Sequence, residues 1–258
     1  MQISLSGRAA IVTGGSKGIG LAVATRFAAS GADVAIVART EEALKEAIAA
    51  IRQSSQARVI GLQADVSNAT DIQRAYDEVM KAFDKVDIIV NNAGTSQAMP
   101  FERLTDDILR DDLELKLFAA VRLIRLVAPQ MKQRRWGRII NVLNIGAKAP
   151  RPNSMPTSIS RAAGMAMTKA LSQELAPHNV LVNALLVGLI RADQHVQRAK
   201  RTNMPIEEYY KAHEKEIPIG RFGDAEEFAN LACFLVSEQG SYITGTAINV
   251  DGGRSPVV

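Results

Sequence analysis

The stretch AAIVTGGSKGIGLAVATRFAASG, residues 9–31, decides the fold of this chain. It begins with five residues typical of a buried strand, continues with a glycine-rich turn, and then shows apolar residues at helical spacing. Gly14, Gly18 and Gly20 let the chain turn sharply and let the helix pack closely on the strand, which leaves backbone N–H groups directed at an anion. The stretch therefore predicts a strand, a phosphate-binding turn and a helix; a tight turn without a ligand is the alternative.

Six further strand-like runs follow, and amphipathic helical patterns separate most of them. The runs are apolar at nearly every position, which is typical of strands covered on both faces in a parallel sheet. The alternation is that of βαβ units. We therefore predict an α/β fold: one doubly wound, seven-stranded, mostly parallel sheet with helices on both faces, formed by a single domain over residues 1–258. The seven runs are AAIVT, DVAIVA, RVIGLQ, VDIIVNN, RIINVL, VLVNALLV and TAINV.

Charge and cysteine content restrict the classes of function. The 258 residues carry a net charge of +4 and include one cysteine. Because the charge is small and no long run of like charges occurs, no nucleic-acid partner is expected. Cys233, in an apolar run, cannot form an internal disulfide and predicts a buried thiol in a reducing, cytoplasmic compartment. No apolar run reaches the roughly 18 residues of a membrane span, so no membrane association is expected.

The end of the second strand-like run indicates which dinucleotide the turn binds. A site for NAD usually has an acidic residue there, which binds the ribose hydroxyls. This chain instead has Ala38 followed by Arg39, and Lys17 lies inside the glycine turn. Two cations suit a 2′-phosphate, since the forked donors of arginine match phosphate oxygens. We therefore expect NADP(H) as the cofactor rather than NAD(H); two solvated surface cations are the alternative.

Several motifs together make the chain resemble the short-chain dehydrogenase/reductase family over essentially its whole length. They are TGGSKGIG at 13–20, ADV at 64–66, NNAG at 91–94, GRIINV at 137–142, IPIGRFGDAEEFANLACFLVSEQGSYITG at 217–245 and VDGG at 250–253. The resemblance implies a single Rossmann-type domain, a homo-oligomer (tetramer or dimer) and a small-molecule substrate. It places Asp65 near the adenine and Asn91, Ala93 and Gly94 beside the adenosine ribose. The other cofactor-site positions that it implies are Gly14, Ser16, Lys17, Gly18, Ile19, Gly20, Arg39, Val66, Arg161 and Ile190.

At the catalytic positions the chain departs from the pattern of that family. The family has a tyrosine that exchanges a proton with the substrate and, four residues later, a lysine that holds the ribose and lowers the pKa of the tyrosine. The resemblance puts Thr157 and Arg161 at these positions, Asn144 in place of a serine, and Lys116 in place of an asparagine. An aliphatic hydroxyl cannot be tuned as a phenol can, and a guanidinium stays protonated near neutral pH. The usual proton donor is therefore missing.

Two pairs of residues are candidates for the missing proton donor. Lys116 and Lys148 are expected to border the same cleft, where a desolvated lysine beside Arg161 would have a lowered pKa and serve as acid, base or nucleophile. Tyr209 and Tyr210 lie in the segment that covers the substrate in the family, so a phenol from this lid is the second candidate. The alternatives are a solvated or structural lysine and an aromatic anchor that packs the lid down.

The segment 189–217 is polar, charged and the least regular part of the chain, and we predict that it is an insertion that shapes the binding site as a lid. His178, His195 and His213 lack metal-ligand spacing, so no metal site is expected. The three histidines are predicted to lie at the surface, unless the folded lid carries His195 into the cleft. For Thr157, the structural alternative is a hydroxyl that bonds a free backbone N–H in the first helical turn.

These observations favour an NADP(H)-dependent oxidoreductase that acts on a carbonyl or alcohol through an atypical active site. A lid residue, Lys116 or water would then handle the proton. The alternative is a catalytically inactive NADP(H)-binding sensor or partner subunit, which the four catalytic departures support. Non-redox chemistry on the same scaffold ranks last, since the chain keeps the glycine turn.

Overall fold

Parallel β-strands form the centre of the molecule. The computed structural model describes residues 3–258, with the backbone alone at 193, 194 and 197. The strands are β1 (Ala9–Thr13), β2 (Asp33–Ala38), β3 (Val59–Gln63), β4 (Ile88–Asn91), β5 (Ala98–Met99), β6 (Gly137–Asn144), β7 (Met155–Pro156), β8 (Val180–Val187) and β9 (Ala247–Val250). Seven of them form one parallel sheet in the order β3-β2-β1-β4-β6-β8-β9. The predicted seven-stranded sheet is confirmed, and each predicted run overlaps one of its strands.

Helices cover both faces of this sheet, as predicted. They are α1 (Gly18–Ala29), α2 (Glu41–Ser54), α3 (Ala69–Phe83), α4 (Asp106–Leu113), α5 (Ala119–Arg134), α6 (Thr157–Leu175), α7 (Asp193–Arg201), α8 (Ile206–Glu214) and α9 (Ala225–Val236). Within β1, Val12 packs into the core under α1, α2 and α9, whereas Ile11 packs into the core under α3, α5 and α6. Successive side chains of a strand point to opposite faces, so a strand buried on both faces must be apolar throughout.

The order of the strands creates the crevice in which a ligand can bind. Strand β1 pairs with β2 on one side and with β4 on the other, so the connections that leave β1 and β4 run to opposite sides of the sheet. In open α/β sheets, ligands bind beyond the carboxyl ends of the strands at such a switch point. The carboxyl ends are Thr13 of β1 and Asn91 of β4.

A π-helical segment, Glu114–Phe118, joins α4 to α5. A π turn accommodates one more residue than an α turn and rotates the side chains that follow, and such turns are frequent at functional sites. Here the segment directs Lys116 into the protein, where its side chain is completely buried.

The segment 189–217 is more regular than the sequence predicted. It contains helices α7 and α8, which pack Ala199, Tyr209 and Tyr210 against Phe222 in a small apolar cluster of their own. The helical pattern was missed because charged residues dominate α7 and only one narrow face is buried. Within residues 3–258, none of the helices has both the length and the hydropathy required to span a membrane.

Replacing Gly20 by alanine is expected to destabilise the fold by about 3 kcal/mol, since overpacking a close contact costs this much. A Cβ on Gly20 would lie 2.1 Å from the carbonyl oxygen of Gly14, and backbone cannot move aside cheaply. The control is Gly220→Ala, where φ is +78° and no atom lies within 4 Å, so only the conformational cost of about 1 kcal/mol applies. Urea denaturation followed by circular dichroism measures both; equal losses would contradict the steric argument.

Candidate functional site

The glycine turn between β1 and α1 forms an open cradle of backbone. Gly14 and Gly18 have φ of +63° and +53°, the left-handed region that favours glycine. The side-chain amide of Asn92 donates to the carbonyl oxygens of Thr13 and Gly14, at 3.0 and 3.2 Å, and thereby holds the turn. Lys17, the N-cap of α1, makes no capping bond with its side chain. The first N–H groups of α1 therefore remain available to an anion.

The predicted phosphate-binding cations lie at neighbouring strand ends. Lys17 directly precedes α1, and Arg39 directly follows β2; both side chains are exposed. Because Thr13 of β1 pairs with Val37 of β2, the two strands end side by side and bring both cations to the same edge of the sheet. Ser16 and Ile19, also predicted for this site, lie within the turn and the start of α1 and are half-buried.

Thr13 organises the end of β4, a role that the sequence did not reveal. Its hydroxyl oxygen accepts from the backbone N–H groups of Asn92 and Ala93, both at 3.0 Å, and donates to Val90. The side-chain amide of Asn91 donates to Asn141 Oδ1 at 2.8 Å. These bonds fix the backbone path of the NNAG motif. The bonds from Thr13 join β1 to the end of β4, and a contact between such distant segments cannot be recognised from either segment alone.

The remaining predicted cofactor residues lie around the same edge. Asp65 follows β3, and its Oδ1 accepts from the backbone and hydroxyl of Ser67, which leaves the carboxylate partly engaged. Ile190 is buried and forms an isolated β-bridge with Gly223. One cavity brings together residues from the predicted cofactor and catalytic sets: Val66, Asn91, Ala93 and Lys116 all line it.

Thr157 is the first residue of α6 and is buried. Its Oγ1 accepts from Lys116 Nζ at 2.8 Å and from the backbone N of Gln97 at 3.0 Å. The sequence allowed a hydroxyl that bonds an N–H of its own helix; the N–H that it bonds belongs instead to the chain before β5. Three distant segments therefore meet at this one oxygen.

Lys116 belongs to a buried charged cluster. Its ammonium group forms an ion pair with Asp112, one turn earlier, and the side chains of both residues are almost wholly buried. The second oxygen of Asp112 accepts from the hydroxyl of Ser160 at 2.6 Å. Burial lowers the pKa of Lys116 below its usual value, Asp112 opposes the shift, and the nearby Arg161 adds to it. Asp112 and Ser160 were not predicted, because only α6 packing on α4 makes them neighbours.

Arg161 lies one turn along α6 from Thr157. Burial lowers the pKa of its guanidinium to about 10, with Asp112 opposing the shift, so the group stays charged at neutral pH. A Cβ on Gly94 would lie 2.8 Å from Nη2 of Arg161, so the absence of a side chain at Gly94 is what leaves room for the guanidinium. Among the described side chains, no carboxylate forms a salt bridge with Arg161, and Asp112 pairs with Lys116 instead.

Asn144 ends β6, and its Oδ1 is buried without a hydrogen-bond partner among the described residues. Its neighbours are Gly146 and Ser158: a Cβ on Gly146 would lie 3.1 Å from Asn144 Oδ1 and 3.3 Å from Ser158 Oγ. A buried amide oxygen without a partner costs about 1–3 kcal/mol, which a bound hydroxyl or water would recover. The residue is thus prepared for a polar ligand.

Tyr209 and Tyr210, in the segment 189–217, pack against each other and against residues of that segment and Phe222. Tyr209 and Tyr210 are 7% and 6% exposed. The Tyr209 hydroxyl lies 3.4 Å from Nδ1 of His195, and the Tyr210 ring packs on Phe222 and Arg191. These contacts are those of an aromatic anchor.

Two other expectations require correction. His195 was predicted to lie at the surface, but it is 1% exposed because α7 packs it against Tyr209 and Phe222; burial lowers its pKa to about 4. Lys148 was expected to border the cleft, but its Nζ donates to the carbonyl oxygen of Ala247 at 2.6 Å and so supports β9. Among the side chains that the structure describes, no group of three or more metal-binding residues lies together.

Asp112→Asn is expected to destabilise the protein by about 3 kcal/mol, since it leaves the buried ammonium of Lys116 without a counter-charge. Asp107→Asn is the matched control, because that carboxylate is exposed and pairs with Arg110 at the surface, where a salt bridge is worth less than about 1 kcal/mol. Urea denaturation, followed by the fluorescence of the single tryptophan, Trp136, measures both. A loss at Asp112 no larger than at Asp107 would contradict the buried ion pair.

Comparison with known proteins gives one consistent result. The family model described as "Enoyl-(Acyl carrier protein) reductase" matches residues 14–255. The 3-oxoacyl-[acyl-carrier-protein] reductase FabG of Aquifex aeolicus is 34% identical over 253 residues, covering 98% of this chain and 99% of that protein. Human dehydrogenase/reductase SDR family member 4 is 32% identical over 253 residues, covering 96% of this chain and 88% of that protein.

A solved structure extends the similarity to the whole chain. The crystal structure of L-sorbose reductase from Gluconobacter frateurii, complexed with NADPH and L-sorbose, has 34% sequence identity and a TM-score of 0.96, with 100% of both chains covered. The strand order, the glycine turn between β1 and α1, and the family match over residues 14–255 agree with one another. This chain belongs to the short-chain dehydrogenase/reductase family.

Proposed function

We propose that this protein is an NADP(H)-dependent oxidoreductase that acts on a carbonyl or alcohol substrate through an atypical active site. The observation that carries the proposal is the turn around Gly14, Gly18 and Gly20, which contains Lys17, leads into a helix without a side-chain cap and lies beside Arg39 at the end of β2. A Cβ at Gly20 would lie 2.1 Å from the carbonyl oxygen of Gly14, so the absence of a side chain lets α1 begin close against the end of β1, with its first backbone N–H groups at the open turn. The chain's own residues therefore fit a dinucleotide.

Two side chains, those of Arg161 and Asn144, would act at the reacting end. When bound, the nicotinamide supplies or takes up a hydride. Arg161, with the room left by Gly94, would hold ribose hydroxyls and keep a positive charge in the cleft. Asn144 would donate its amide N–H to the substrate oxygen, a role worth up to about 10²–10³ in rate in other enzymes.

The relatives support a carbonyl substrate. The names of the two reductases indicate a 3-oxoacyl thioester and L-sorbose, both of which have a ketone group, and the structure of the second contains NADPH. We propose one catalytic unit over residues 1–258, with the lid at 189–217 covering the substrate. A homo-oligomer, tetramer or dimer, in the cytoplasm completes the proposal; the exposed Phe118 and Ile159 suit a subunit contact.

Lys17→Ala combined with Arg39→Ala is expected to weaken NADPH binding by about tenfold to a hundredfold. Each charged hydrogen bond contributes about 1.5–3 kcal/mol when shielded from water, and solvation of both exposed side chains reduces the sum to about half. Binding of NADH, which lacks the 2′-phosphate, should barely change. Isothermal titration calorimetry measures both, with Arg125→Ala, an exposed arginine of α5, as the control. Tighter binding of NADH than NADPH by the wild type would contradict the assignment.

An NADP(H)-binding sensor or partner subunit without turnover is the second candidate. It is favoured by where the four tyrosines lie. Tyr76 accepts a hydrogen bond from Gln130, Tyr209 and Tyr210 pack in the lid, and Tyr242 is fully exposed. None of these contacts is with Thr157 or Arg161, so each phenol would have to move to act there.

The pair Thr157→Tyr and Arg161→Lys separates the two candidates. If the wild type is inactive because it lacks the acid, the double variant should oxidise NADPH with L-sorbose or an acetoacetyl thioester at least about a hundredfold faster, the low end of general-acid catalysis. Absorbance at the NADPH band measures this. The single Arg161→Lys variant is the control, since it restores the ammonium without the phenol. An active wild type that the double substitution fails to improve would exclude the sensor.

A further inference from the structure

The hydroxyl of Thr157 has both of its acceptor positions occupied. Lys116 Nζ lies 2.8 Å from Oγ1, and the backbone N of Gln97 lies 3.0 Å from it. An ammonium and a peptide N–H can only donate, so both bonds run toward the oxygen. A hydroxyl has two acceptor positions and one proton, and none of the described residues accepts that proton. The O–H of Thr157 is therefore left for a ligand.

Resting on the oxidoreductase function proposed above, we infer that the Thr157 hydroxyl donates the proton to the substrate oxygen and that Lys116, positioned by Asp112, replaces that proton. The ammonium of Lys116 is engaged by Asp112 and by the Thr157 hydroxyl and has no exposed surface in the unliganded protein. It acts only through Thr157. The ligand group that this site recognises is a ketone or aldehyde oxygen, which accepts but cannot donate.

The protons balance in this relay. In the reduction, the O–H bond of Thr157 breaks as an O–H bond forms on the substrate oxygen, and an N–H bond of Lys116 breaks as the Thr157 O–H bond is restored. The negative charge on the substrate oxygen comes from a hydride, for which the reductant is the dihydronicotinamide of the proposed function. Lys116 is left as a neutral amine, and a proton from solvent, passed through the cavity that Lys116 lines, restores its ammonium. Thr157 never exists as a free alkoxide, so the high pKa of an aliphatic hydroxyl is no obstacle.

Two charged groups face Lys116 and tune it as an acid. Burial and the guanidinium of Arg161 on α6 lower the pKa of Lys116, whereas the carboxylate of Asp112 on α4 raises it. Ser160 donates to the other oxygen of Asp112 and fixes that carboxylate in place. The net effect is a lowered pKa, which makes the ammonium of Lys116 a better acid than that of a solvated lysine.

Substitution at Thr157 tests the donor. With L-sorbose or an acetoacetyl thioester as the probe, Thr157→Val removes the hydroxyl at nearly constant volume and should lower kcat about 10²–10³-fold, whereas Thr157→Ser keeps the hydroxyl and should stay within about tenfold of the wild type. A valine variant with the activity of the serine variant overturns the inference.

The pH profile tests Lys116 and Asp112, because a merely structural role would not shift it. Reduction needs protonated Lys116, so the wild-type rate should fall as the pH rises through a pKa below the ordinary 10.5. Asp112→Asn removes the group that raises this pKa and should move the fall to lower pH. Lys116→Met should abolish this fall in rate at high pH. Lys148→Met, the control at a lysine that donates to Ala247, should leave the fall at the same pH as in the wild type. If Asp112→Asn does not fold, the pH profiles of the two lysine variants still test the role of Lys116.

Neutron diffraction of the unliganded protein tests the hydroxyl without turnover. The expected map shows three deuterons on Lys116, one of them directed at Thr157 Oγ1, and a Thr157 deuteron directed at no protein atom. A Thr157 deuteron on the line to Lys116 Nζ overturns the inference. A wild type inactive with every probe overturns the oxidoreductase and the proton step together, whereas an active wild type indifferent to Thr157→Val overturns the proton step alone.

Discussion

The close approach of helix α1 to the end of strand β1 is the constraint on which the rest of the candidate site depends. Gly20 lies so near the carbonyl oxygen of Gly14 that a Cβ would be 2.1 Å from it. The amide of Asn92 bridges the same turn to the end of β4. Because of these contacts, the glycine turn, the NNAG motif and the crevice between β1 and β4 form one connected edge, at which an anion in the turn meets backbone N–H groups.

The second determinant of the site is electrostatic. Asp112 forms an ion pair with the buried Lys116 and opposes the fall in the pKa of Arg161, so two cationic side chains lie around this one carboxylate. A buried ion pair of this kind contributes little to stability compared with an apolar pair, because desolvation offsets the attraction. Its effect is on geometry: Asp112 and Ser160 hold the ammonium so that one of its protons meets Thr157.

Membership of the short-chain dehydrogenase/reductase family and the side chains at the proton-handling positions give different kinds of information. The family match, the strand order and the glycine turn concern the backbone, which binds phosphate in the same way whatever the side chains are. Proton transfer depends on individual side chains and their surroundings. Here a hydroxyl, an ammonium and a guanidinium stand close together, an arrangement whose chemistry must be worked out from its own hydrogen bonds.

The sequence by itself determined the sheet, its seven strands and the glycine turn, because strands buried on both faces must be apolar throughout and a tight turn against a helix requires glycine. It also identified Thr157, Arg161, Asn144 and Lys116 as unusual. Only the tertiary structure decided what surrounds them: Asp112, Ser160 and Gln97 meet Lys116 and Thr157 because α4, α6 and the chain before β5 pack together. The same applies to His195, whose burial depends on how α7 lies on Phe222. Periodicity and turn chemistry are local properties that a sequence records, whereas contacts between distant segments exist only once the chain has folded.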